Sequence, residues 1–259
     1  MQPNLLMAII LPLFINCSNS TSPTPASESV NSANPSENPF AKISEISLPE
    51  GFSRIALEAD SFGEWLRHFP LKKDKTVYKF DGSRKSNQSA QFAVLDISTG
   101  NKDLQQCADA IMRLRAEYLL EHKRVSEISF SDNNGKEYNA PVGGNRKEFN
   151  RYLETVFSFC GTLSLEKQLK PARGMSSILP GDVLIRGGSP GHAAIVMDVA
   201  ENSKGERIFL LANSYMPAQD THIVINPGDR SISPWYTASG TLEIRLPEWT
   251  FSPNQLRRW

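Results

Sequence analysis

Partway along the chain the spacing of apolar residues changes from a helical to a strand period, and this restricts the fold more than any other feature. In "LQQCADAIMRLRAEYLLEH", Ala108, Ile111, Leu114 or Arg115, and Tyr118 recur at helical spacing, with Arg113 and Glu117 as an i,i+4 pair. In "RKEFNRYLETVFSFCGTLSL", Phe149, Tyr152, Leu153, Val156, Phe157 and Cys160 form one stripe, and Gly161 stands where a left-handed C-terminal residue is wanted. A shorter helix is expected in "SFGEWLRHFP", capped by Ser61 and stopped before Pro70. "TVYKFDG" and "QFAVLDIS" alternate as strands do. Beyond them "DVLIR", "HAAIVMDVA", "RIFLLANSY", "HIVIN" and "TLEIRLP" are short β-rich runs separated by Gly, Pro, Asn and Asp. Helices first and antiparallel strands afterwards predict an α+β fold, with the N-terminal helices packed on a small antiparallel sheet.

The N-terminus follows different rules. "LLMAIILPLFINC" is apolar over about a dozen residues, too short to span a bilayer and suited to an export signal. Leu13, Phe14, Ile15 and Asn16 before Cys17 are similar to a relaxed bacterial lipobox, which predicts a signal peptide over 1–16 and lipid on Cys17. The Ser-, Pro- and Asn-rich stretch that follows has almost no large apolar side chain to bury, so 17–45 is expected to be a disordered tether. A single domain is expected over 46–259. Its 28 basic and 28 acidic residues balance, so no long-range field gathers nucleic acid. The partner expected instead is the bacterial membrane, reached through the lipid at the outer membrane or cell surface.

With Cys17 acylated, only Cys107 and Cys160 of the three cysteines remain for chemistry. Cys160 continues an apolar stripe and reads as a buried thiol. Cys107 follows the polar lead-in "NKDLQQ" at the start of the long helix, where the helix dipole lowers a thiol pKa. Capping by Asp103 would put it at the end of the first turn, in a weaker field. A thiol nucleophile needs a base, and the base needs an orienting group. His192, at the seam between "RGGSPG" and "HAAIVMDV", is the candidate base. Asn213 is the candidate orienting amide, with Gln219 and then Asp220 as alternatives. The oxyanion is expected on the backbone N–H of Cys107 with Asn101 or Gln105, or less favourably Tyr78. His222 is a further candidate for the site. His68 and His122 suit helix ends, and Trp235 with Tyr236 suit either a cleft wall or the core. The four histidines show no short-spaced ligand pair, so neither a metal site nor a cofactor is expected.

Two resemblances attach to these residues. "GDVLIRGGSPGHAAIVMDV" and "QQCADAIMR" resemble the histidine hairpin and nucleophile helix of the NlpC-type and CHAP-type cell-wall amidases, which implies a papain-like fold and cysteine peptidase or amidase chemistry. Those enzymes open their helix with Asp-Cys-Ser-Gly, whereas this chain has Gln106, Cys107, Ala108 and Asp109. Together "GNKDLQQCADAIMRLRAEYL", "GSPGHAAIVMDVA", "SYMPAQDTHIV", "PWY" and "PEWTF" resemble domain of unknown function 4846, which implies no activity. The leading expectation is an envelope cysteine hydrolase acting on amide bonds of peptidoglycan or envelope peptides. The alternatives are a catalytically inactive papain-like binding domain and a structural surface lipoprotein with a Cys107–Cys160 disulfide.

Overall fold

The computed structural model describes residues 37–259, so Cys17, the leader and most of the expected tether lie outside the described residues. In chain order the first elements are β1 (Phe52–Arg54), α1 (Phe62–Arg67), β2 (Gln91–Val94), α2 (Cys107–Glu121), β3 (Ser129–Ser131), β4 (Glu137–Asn139), α3 (Arg146–Phe159), α4 (Thr162–Gln168) and β5 (Lys170–Pro171). The strand-rich half follows as β6 (Val183–Arg186), β7 (His192–Asn202), β8 (Arg207–Asn213), β9 (His222–Val224), β10 (Tyr236–Thr237), β11 (Ile244–Arg245), β12 (Thr250–Phe251) and β13 (Leu256–Arg258). The fold is α+β.

The sheet is larger than expected, a nine-stranded antiparallel array in the order β2-β9-β8-β7-β6-β13-β5, with β1 on the end of β7 and β10 on the start of β8. Its spine is β7, long enough to pair with β6 through its first residues and with β1 through its last. Ala193, Ile195 and Met197 point to the core that contains the helices, while Ala194 and Val196 point to a second core on the opposite face. Between Val196 and Asp198 the ladder to β8 slips by one residue, after which Val199 and Ala200 take the faces that strict alternation would have exchanged. The unpaired residue is Met197; Asp198, which resumes the ladder opposite Leu210, is buried, and its carboxylate accepts from Arg54 Nε and Arg67 Nε, each at 2.7 Å. One bulge thereby pins β1 and α1 to the spine.

Several local expectations are corrected. Folded structure starts earlier than residue 46: Asn38 donates to the Phe40 and Lys72 carbonyls, and Ile43 and Ile46 are core residues. "TVYKFDG" is not a strand of the sheet; it touches neighbours through isolated bridges, Tyr78 with Arg84 and Lys79 with Gln219. Of "TLEIRLP" only Ile244–Arg245 is strand. Gly161 has φ −164°, an extended conformation, because the chain there starts a new helix and Gly161 is the N-cap of α4. Cys160 accordingly sits just past the end of α3, buried, instead of on its stripe. The capped start of α1 is as expected, with Ser61 Oγ accepting from the Glu64 N–H.

Candidate active site

Gln106, in an extended conformation, is the N-cap of α2, so Cys107 is the first helical residue and not the end of a turn capped by Asp103. Two acids hold this start. The Gln106 N–H donates to Asp109 Oδ2 at 3.0 Å, and Asp103 Oδ1 accepts from Gln106 Nε2 and from the Ala218 N–H at 2.7 Å. The first N–H groups of a helix have no intrahelical acceptor, which leaves those of Cys107 and Ala108 free to face the sulfur.

His192 arrives from the other side. Between β6 and β7 the chain turns through "GGSPG", where Gly188 has φ +110°. A Cβ on Gly191 would collide with Thr162 Oγ1 and with the Gly188 and Arg186 carbonyl oxygens, so only glycine lets this turn close against the start of α4. That closure sets His192 as the first residue of β7. A pocket of about 490 Å³ opens between the two elements, with Cys107, Asp109, Cys160, His192, Tyr215 and Trp249 in its walls.

The His192 ring is held by aromatic neighbours: Phe251 stacks on it at 5.8 Å between centroids, and Tyr215 and Trp249 lie tilted at 4.8 and 5.2 Å. Its Nε2 lies 3.0 Å from Asn213 Nδ2. No hydrogen bond engages the ring's Nδ1 among the described residues, and His192 lines the pocket. No hydrogen bond joins the thiol to the ring among the described residues.

Charge is unwelcome here. Burial, and then the carboxyl of Asp109, push the Cys107 thiol up to about 11, and burial with the nearby Lys85 ammonium pushes the His192 imidazole down to about 3. The site therefore rests as a neutral thiol beside a neutral imidazole, and the thiolate expected at a helix N-terminus is not its resting state; desolvation outweighs the dipole. Burial likewise lifts Asp109 to about 8. Cys107 and Cys160 are both free thiols in the walls of the same pocket, without the disulfide considered above.

The remaining candidates are placed elsewhere. Asn101 and Gln105 line a separate, smaller pocket, where Gln105 Oε1 accepts from Arg113, and Tyr78 hydrogen-bonds to Asp74 and Asp220; none of the three is in the lining of the pocket that holds Cys107. Gln219 is buried and makes no hydrogen bond to His192 among the described residues, and Asp220 pairs with Lys72. His222 is fully buried, outside the pocket lining, with Nδ1 on the Asp220 carbonyl. Trp235 is a core residue that donates to the Ser47 carbonyl, and Tyr236 lies in the second core. His68 and His122 stand at the C-caps of α1 and α2. Sequence reasoning overlooked Asp109, Tyr215 and Trp249; "PEWTF" was the signal for Trp249, and Asp109 is simply two residues beyond the cysteine.

A family model described as domain of unknown function (4846) matches residues 43–146 and 137–258. No curated protein and no solved structure matches the chain.

Proposed function

Since the chain belongs to the family of domain of unknown function 4846, whose description assigns no reaction, we propose from the site itself that this is a papain-like cysteine hydrolase acting on amide bonds. One observation carries the reading: the first residue of α2 is a cysteine that shares a pocket with a histidine whose far nitrogen meets an asparagine amide on the adjoining strand. Nucleophile, base and orienting group are the three parts that such chemistry requires.

The neutral resting pair sets the order of events. Substrate enters and excludes water; the Cys107 sulfur attacks the amide carbonyl as its proton passes to His192 Nδ1. The backbone N–H groups at the start of α2 receive the oxyanion. The imidazolium then protonates the leaving amine, a thioester remains, and water activated by His192 releases the acid and restores the thiol. In the same proposal, lipid on Cys17 holds the domain in the bacterial envelope, where peptidoglycan and envelope peptides supply amide bonds.

A peptidyl electrophile, which must dock before it reacts, tests the reading. It is expected to label Cys107 in the wild type and to lose that labelling in His192→Ala, while wild-type protein and not Cys107→Ala releases new amino groups from peptidoglycan or envelope peptides. Equal labelling in both, with no amine release, leaves the second reading, an inactive binding pocket, which the high thiol pKa favours.

A further inference from the structure

Three neighbouring strands end in one polar row: His192 opens β7, Asn213 closes β8 and His222 opens β9. Side chains alternate along strands, and these three share a face with Ala194, Leu211 and Val224, all of the second core. Asn213 and His222 are direct cross-strand partners. Each of the three is at least nine-tenths buried.

The row leaves hydrogen-bonding capacity unused. With the Asn213 NH2 toward His192 Nε2, the Asn213 oxygen is buried without a partner. So is His222 Nε2, which is an acceptor because the proton of that ring lies on Nδ1, donated to the Asp220 carbonyl. An unpaired buried acceptor has given up its hydration without a replacement partner. A half-turn of the amide changes no shape. It presents the NH2 to the β9 side, where His222 is the direct cross-strand partner of Asn213, and presents the oxygen to His192 Nε2. Both orphans then gain partners, and His192 must carry its proton on Nε2, leaving Nδ1 bare at the pocket.

We propose that His222 is a positioning residue, which acts through Asn213 to select the His192 tautomer with a free Nδ1. The proposal rests on the cysteine-hydrolase reading only for its consequence, since the tautomer is a property of the resting protein. His222 never meets the pocket. Its acceptor nitrogen fixes which end of an amide faces the base, and the amide fixes which end of the base faces the thiol.

The test is a long-range ¹⁵N–¹H spectrum of the described domain, in which the two nitrogens of a neutral imidazole separate by their shifts. The expected wild-type pattern is His192 protonated at Nε2. In His222→Phe, which removes the acceptor, the Nδ1-protonated form should grow to at least a comparable share, and His222→Gln, which can present an oxygen, should restore the wild-type pattern. A wild-type His192 protonated at Nδ1 overturns the proposal without any variant, as does an unchanged tautomer in folded His222→Phe. Failure of the hydrolase reading shows separately, as absent amine release and His192-independent labelling with the tautomer still selected.

Discussion

Cys107 was readable as a special residue because a lone cysteine follows polar residues at the start of a strong helical period. Its resting state was not readable, since the burial that sets it comes from Tyr215, Trp249 and the "GGSPG" turn, all far along the chain. The meeting of His192 and Asn213 was legible for a related reason: one opens and the other closes an apolar strand run, so each lies at the rim of a sheet. Gln105, Asn101 and Tyr78 lie outside the lining of the Cys107 pocket, because nearness in sequence to Cys107, or a plausible side chain, says nothing about which side of the α2 start a residue occupies. The thiol state has a measurable consequence. With a pKa of about 11, only about one thiol in ten thousand is ionised at pH 7, against a few per cent for a free cysteine. Alkylation of Cys107 by iodoacetamide, read by site-resolved mass spectrometry, should be about two orders of magnitude slower than that of a small thiol at pH 7 and should climb above pH 9. Fast alkylation at neutrality would place a thiolate in the resting site after all.

The elements with long periods were predicted well; short ones depended on partners the sequence does not show. The α2 and α3 helices declare themselves through four or more apolar positions, whereas β1, β10 and β11 have two or three residues each and exist only because β7, β8 and β12 offer free edges. The bulge at Asp198 is invisible in "HAAIVMDVA", where an acid inside an apolar run reads as a strand end. Two substitutions test what these elements contribute. Asp198→Ala leaves the partly buried Arg54 and Arg67 beside no carboxylate and should cost about 2–3 kcal/mol, seen as a lower urea midpoint; a loss below about 1 kcal/mol would mean the bulge is held by packing alone. Gly191→Ala forces a methyl group against backbone oxygens and should cost about 1–3 kcal/mol while displacing His192. Gly161→Ala, with open space around its Cβ and an extended backbone, serves as the control and should stay within about 1 kcal/mol of wild type.

At the scale of the whole molecule, the same buried groups set how stability responds to pH, and they act in opposite directions. His192 and His222 are both pushed down to about 3, chiefly by burial, so the folded chain refuses protons that the unfolded chain binds below about pH 6.5. The stability they contribute is complete above that pH and is lost as pH falls toward 3. Asp109, lifted to about 8, keeps a proton in the folded chain that the unfolded chain releases near pH 4. Its contribution is complete below pH 4 and is lost as pH rises to 8. Each proton of difference is worth about 1.4 kcal/mol per pH unit. From pH 6.5 down to about 5, two histidines come to outweigh one carboxyl, and stability should fall by about 1.3 kcal/mol in all. From pH 6.5 up to 8 Asp109 outweighs the histidines, whose last protons leave the unfolded chain over the same range, and stability should fall again, by about 1 kcal/mol in all. Exposed carboxylates held low, such as Asp81 and Asp229, enter only below about pH 4. Urea unfolding of the described domain across pH 5–8.5 should therefore show a maximum near pH 6.5. In Asp109→Asn, which keeps an oxygen for the Gln106 N–H, the alkaline decline should vanish and the acid limb should steepen to about twice the wild-type slope. A wild-type curve still rising from pH 6.5 to 8 would show that Asp109 is ionised in the folded protein, and stability that increases from pH 6.5 down to 5 would show that the two histidines take up protons there as freely as in the unfolded chain.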